Sequence, residues 1–145
     1  MTPPNTPDQD VAQNIADILA TCRTVAVVGL SPKPHRDSYE IAQYMQAQGW
    51  RIVPINPAAQ VREILGETVY PSLMEAAKHV QIDLVDVFRN SANVPPVVDE
   101  AIAIGAKALW LQLGIEHPAS AEKARAAGLT VVQNRCLLVA HRRGT

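Results

Sequence analysis

This sequence is short of the features that mark several large protein classes. It has two cysteines in 145 residues, Cys22 and Cys136, far apart and without a C-x-x-C pair. That argues against a disulfide framework or a cysteine zinc site and for a reducing, cytoplasmic setting. Its four histidines, His35, His79, His117 and His141, are scattered without the spacing of a metal site. No apolar run approaches the roughly 20 residues that span a bilayer. The first ten residues lack the apolar stretch of a signal peptide. A net charge of −1 offers no general attraction for nucleic acid, so an anion site would have to be local. Repeats and low-complexity segments are absent.

What is present is an ordinary globular composition, 48% hydrophobic and 19% charged, enough for one domain over residues 1–145 with 1–7 a flexible lead-in. Val11, Ile15, Ile18, Leu19 and Cys22 recur at helical spacing and predict a helix over 8–22. Thr24–Gly29 reads as a strand buried on both faces. Asp37 and Glu40 suggest a capping box for the next helix, which Gly49 closes. Trp50–Ile55 is the second strand, 58–71 an irregular stretch with a turn at Gly66, and Ser72 with Glu75 a second capping box. Ile82–Phe88, Lys107–Gln112 and Leu129–Val132 are further strands. They alternate with helices over Asn93–Ile104, with Pro95 and Pro96 in the first turn, and Pro118–Ala127. Glycines stop three helices immediately before strands, at Gly49, Gly105 and Gly128. This alternation predicts an α/β, Rossmann-like three-layer domain: a mainly parallel five-stranded sheet with helices on both faces. Ligands of such sheets bind beyond the carboxyl ends of the strands, at the switch in strand order.

The segment most loaded with chemistry is the first strand–turn–helix, T-V-A-V-V-G-L-S-P-K-P-H-R-D-S from Thr24 to Ser38. Helix N-termini offer free N–H groups and partial positive charge to phosphate. Here too the absences inform. Gly29 fits the first glycine of the NAD fingerprint G-x-G-x-x-G, but Ser31 and Pro34 stand at the other two. Asn56 stands where an acid would hold the ribose diol, and no G-K-[ST] follows Gly29. The turn offers Ser31, Lys33, Arg36 and Ser38 instead, with Arg62 and Arg89 farther along the rim. Cations and hydroxyls suit several phosphate oxygens at once. A ligand with a pyrophosphate and a separate ribose phosphate fits better than NAD, and both coenzyme A and NADP qualify.

V-V-G-L-S-P-K-P-H-R-D-S, V-P-I-N-P, D-V-F-R, W-L-Q-L-G and N-R-C-L, in that order, resemble the CoA-binding-domain proteins. These are small relatives of the N-terminal domain of the succinyl-CoA synthetase α subunit, and the resemblance covers about residues 10–143. It implies that Gly29, Ser31, Lys33 and Arg36, with Pro32 and Ser38 in the same turn, lie at the CoA phosphates. By the same likeness Asn56 and Pro57 lie near the adenosine, and Val87, Phe88 and Arg89 flank the nucleotide. The synthetase's second α-subunit domain, with its phosphorylated histidine, has no counterpart here, so ligase activity does not transfer.

Three functions follow from these residues. The first is a CoA or acyl-CoA binding module without catalysis, no metal, no nucleic-acid or membrane partner, and a monomer or homodimer. The second is an NAD(P)-dependent oxidoreductase. The third is a small acyl-CoA enzyme, for which Cys136, next to Arg135, is the one candidate nucleophile. Asp83 and Asp86 stand three apart on a strand and should not share a face. Phe88 and Trp110 also fit a core role, and Gln112 and Gly114 fall at a strand end.

Overall fold

A computed structural model describes residues 7–144. The expected lead-in lies outside them except for Pro7, which begins helix α1 (Pro7–Thr21). Then follow β1 (Thr24–Val28), α2 (Asp37–Ala47), β2 (Arg51–Ile55), a small hairpin of β3 (Glu63–Ile64) and β4 (Glu67–Thr68), and α3 (Leu73–Ala77). The chain continues through β5 (Leu84–Val87), a 3₁₀ turn at Ser91–Asn93, α4 (Val94–Ala103), β6 (Ala108–Leu111), α5 (Pro118–Ala126), β7 (Thr130–Val132) and α6 (Leu137–Arg143).

The main sheet runs β2-β1-β5-β6-β7 with every pairing parallel. The expected α/β architecture is therefore correct. From β1 the chain goes first to β2 on one side and later to β5 on the other, so strand order reverses between β1 and β5. A parallel sheet must be covered on both faces, and its strands alternate their side chains between two apolar layers. Val25, Val27, Leu84 and Trp110 pack with Ile15, Ile18, Ile41, Met45 and Leu137 of α1, α2 and α6. Ala26, Val28, Val85, Val87, Leu109 and Leu111 pack with Leu73, Val98 and Ala124 of α3, α4 and α5.

Three local expectations need correction. Asp37 is the first residue of α2, not its cap. Arg36 is the cap, its side chain caps nothing, and its carbonyl accepts from the Glu40 N–H at 3.1 Å. At Ser72 the N-cap half of the expected box forms, Ser72 Oγ accepting from the Glu75 N–H at 3.1 Å, while the Glu75 carboxylate accepts from Lys78 Nζ at 2.9 Å. The stretch 58–71 is not irregular throughout. Leu65 and Gly66, with φ of 55° and 78°, make the two-residue turn between β3 and β4. Strands of two residues each are too short to leave a periodic signal. Helix α6 was not expected at all.

At the opposite end from the rim, Asp83 ties three strands together. Asp83 Oδ2 accepts from the N–H groups of Arg23 and Thr24 at 2.9 and 3.0 Å, and Lys107 Nζ stands 3.7 Å from Oδ1. Burial pushes this carboxyl up, but the two N–H donors and Lys107 outweigh burial and hold it below its ordinary value. Its contribution is therefore present above the usual carboxylate range and lost as pH falls through the lowered value. Asp83→Ala should cost about 1–3 kcal/mol at pH 7. In urea unfolding the gap between variant and wild type should close at acid pH.

Candidate functional site

Gly29 follows the last residue of β1 and sits at the reversal of strand order. Its N–H donates to the Ile55 carbonyl at 2.8 Å, while the Phe88 N–H donates to the Val28 carbonyl at 2.9 Å. The turn is thus held between the ends of β2 and β5. Its φ is +90°, and a Cβ there would lie 2.8 Å from the Phe88 carbonyl oxygen. Glycine is needed for the conformation and for the close approach of two backbones.

Beyond Gly29 the loop fastens itself. The Ser31 N–H donates to Ser38 Oγ at 3.0 Å, the Lys33 N–H to Ser31 Oγ at 3.1 Å, and the Arg36 N–H to the Lys33 carbonyl at 3.1 Å. Ser38 is buried by this role. Pro32, Lys33, His35 and Arg36 remain exposed and Ser31 half-exposed. No ion pair involves Lys33 or Arg36 among the described residues. The loop therefore presents two unpaired cations beside the start of α2. Gly29, Ser31, Lys33, Arg36, Ser38 and Phe88 line one open cavity of about 410 Å³.

Asn56 braces that loop from the neighbouring strand. Its Nδ2 donates to the Leu30 carbonyl at 2.9 Å and its Oδ1 accepts from the Ala58 N–H at 2.9 Å. Both ends of the amide are engaged in shaping the turn, and Pro57 beside it is exposed. Val87 is fully buried in the layer against α4, leaving only its backbone near the rim. Its carbonyl accepts from the Gln112 N–H at 3.3 Å.

A second cavity, of about 540 Å³, adjoins the first through Asp37 and Phe88. Arg89, Asn90, Gln112, Gly114 and Cys136 line it, so the structure gathers the ends of β5 and β6 beside the loop after β1. Phe88 is half-buried and borders both cavities, whereas Trp110 is core, its indole N–H donating to the Arg135 carbonyl at 2.8 Å. Gln112 is buried and its Oε1 accepts from the Leu137 N–H at 3.1 Å, positioning α6. Arg62 and His35 are exposed and line neither cavity.

Cys136, the one candidate nucleophile in the sequence, lines this cavity, whereas Leu138 beside it was not foreseen because α6 was not. A signal was there: His141, Arg142 and Arg143 fill a last helical turn and Gly144, at φ 73°, closes it. Among the described residues there is no cluster of three or more metal-ligating side chains, and no helix long and apolar enough to cross a membrane.

A family model described as a CoA binding domain matches residues 23–142. The uncharacterized protein YneT of Bacillus subtilis (strain 168) is 36% identical over 127 residues, 88% of this chain and 91% of that protein. A hypothetical protein of Pyrococcus horikoshii OT3 superposes with a TM-score of 0.86 at 34% identity, over 99% of this chain and 98% of the other. The Thermus thermophilus protein ID.343 gives 0.84 at 36% identity, over 92% and 98%. A dinucleotide-forming acetyl-coenzyme A synthetase of Ca. Korarchaeum cryptofilum shares the fold at 22% identity and TM-score 0.69, over 81% of this chain and 27% of the synthetase.

Proposed function

The chain belongs to the CoA binding domain family, and on that premise we propose that it binds coenzyme A, free or acylated, as a module without chemistry of its own. The observation that carries this reading is the loop after β1. It combines a backbone approach that only glycine permits, two unpaired exposed cations and a helix start, all at the strand-order reversal. Gly29, Ser31, Pro32, Lys33, Arg36 and Ser38 form the seat for the phosphates. Asn56 and Pro57 bound the adenosine side, and Val87 (by its backbone), Phe88 and Arg89 bound the nucleotide from β5. The absence of a carboxylate at the end of β2 supports CoA over NAD, since the Asn56 amide is spent on Leu30 and Ala58.

Arg36→Ala should weaken CoA binding by about 1–3 kcal/mol through loss of a charged hydrogen bond. Calorimetric titration with CoA, dephospho-CoA, NADP and NAD at one salt concentration tests the whole reading. CoA should bind well above dephospho-CoA, with NAD silent. Tighter NADP or NAD binding would transfer the site to an oxidoreductase.

A further inference from the structure

The CoA cleft does not end at Cys136. A groove of about 550 Å³ begins there, sharing Leu113 and Cys136 with the cavity beside the phosphate loop. Its walls are Val11, Ala12 and Ile15 of α1 and Val139 and Ala140 of α6. Among the described residues four large apolar side chains are exposed, and two of them, Leu113 (70% exposed) and Val139 (39%), border this groove. The three cavities join in sequence through shared residues: Asp37 and Phe88 at the first junction, Leu113 and Cys136 at the second.

Polarity changes along that path. The loop end carries Ser31, Lys33 and Arg36 beside Asp37; the middle mixes Glu40, Arg89, Asn90 and Gln112 with Phe88 and Ile115; the far end is bordered chiefly by aliphatic side chains. An acyl-CoA thioester has the same order, with phosphates, then an amide-bearing arm, then a hydrocarbon. Resting on the reading of this site as a CoA cleft, we propose that the ligand is an acyl-CoA whose aliphatic chain, longer than acetyl, lies in the groove between α1 and α6. Arg135 and Arg143 also border the groove, and Arg135 Nη1 already donates to the Asn134 carbonyl at 3.0 Å. Val11, Ala12, Ile15, Leu113, Val139 and Ala140 outnumber the two arginines, and it is these aliphatic walls that we assign to the chain.

The test is calorimetric titration of the full chain with CoA, acetyl-, butyryl-, pentanoyl-, hexanoyl- and glutaryl-CoA. Each methylene buried should add up to about fourfold in affinity, so butyryl-CoA should bind about tenfold tighter than acetyl-CoA. Val139→Asp places a carboxylate in the groove at an exposed position remote from the phosphate loop. It should flatten the chain-length series while free CoA binds as in wild type. A wild-type series that is flat or falls with length overturns the acyl assignment and leaves CoA binding standing. So does weaker free-CoA binding by Val139→Asp, which would put the groove inside the CoA seat itself. Glutaryl-CoA binding more tightly than pentanoyl-CoA overturns the aliphatic choice in favour of a carboxylated chain met by the two arginines. Failure of CoA and every thioester to bind overturns the CoA reading itself.

Discussion

Gly29→Ala should cost about 2–4 kcal/mol of folding stability and reduce CoA affinity at least tenfold. Two penalties coincide there. At φ +90° a side chain strains the backbone, and the new Cβ would meet the Phe88 carbonyl oxygen at 2.8 Å. Neither strand end can retreat cheaply, because the Gly29 N–H is committed to Ile55 and the Phe88 N–H to Val28. Relief would have to come from displacing the loop or the end of β5, the two elements that flank the cleft. Gly114→Ala is the control. It has a similar φ of +86° but open space around the new Cβ, so it should cost only the conformational penalty, about 1 kcal/mol. Urea unfolding and CoA titration of both variants measure this. Equal costs for the two would mean that the approach to Phe88 is not what requires glycine at Gly29.

Where hydrophobic period and punctuation agreed, the sequence was legible. The β-branched runs at Thr24–Val28 and Leu84–Val87, with glycines ending the helices before β2, β6 and β7, foretold a parallel sheet. The same logic led to the loop after β1 as the site. Other features depend on tertiary partners. Asn56 reads as a turn former, and only the fold shows it bracing Leu30. Ser38 reads as a phosphate hydroxyl, and the fold shows its oxygen accepting the Ser31 N–H. Val87 sits among rim residues in sequence, yet strand alternation turns its side chain into the α4 layer. Helix α6 has seven residues, too few for a periodic pattern to stand out, and its docking rests on Gln112 and on a hydrogen bond between Tyr44 Oη and His141 Nδ1 at 2.9 Å. With α6 went one wall of the cleft.

Replacing Asp86 should make the protein more stable. It lies on β5 between Val27 and Trp110 in register, with 0% exposure. Neither carboxylate oxygen has a hydrogen-bond partner. Burial alone pushes its carboxyl well above the ordinary range, so the proton is favoured in the folded state. For an acid raised in this direction, the folded state is favoured most below the unfolded value of about 4. That advantage is lost as pH climbs through the raised folded value. Asp83 has the opposite slope, but only below the ordinary carboxylate range, so the two contributions separate in pH. Asp86→Val replaces an unsatisfied carboxyl by a β-branched side chain suited to a strand. It should add about 2–4 kcal/mol at pH 7. Asp86→Asn keeps the shape and abolishes ionisation, so its unfolding free energy should not show the wild-type decline between pH 4 and pH 8. Thermal unfolding of the three proteins across that range decides it: parallel pH profiles for wild type and Asp86→Asn would mean that Asp86 ionises at no cost. Asp86 lines none of the three cavities of the cleft, so CoA affinity should stay within about threefold of wild type in both variants. The instability it introduces therefore belongs to the strand beneath the site and not to ligand contact, which makes Asp86→Val a stabilised background for measuring the loop and groove variants.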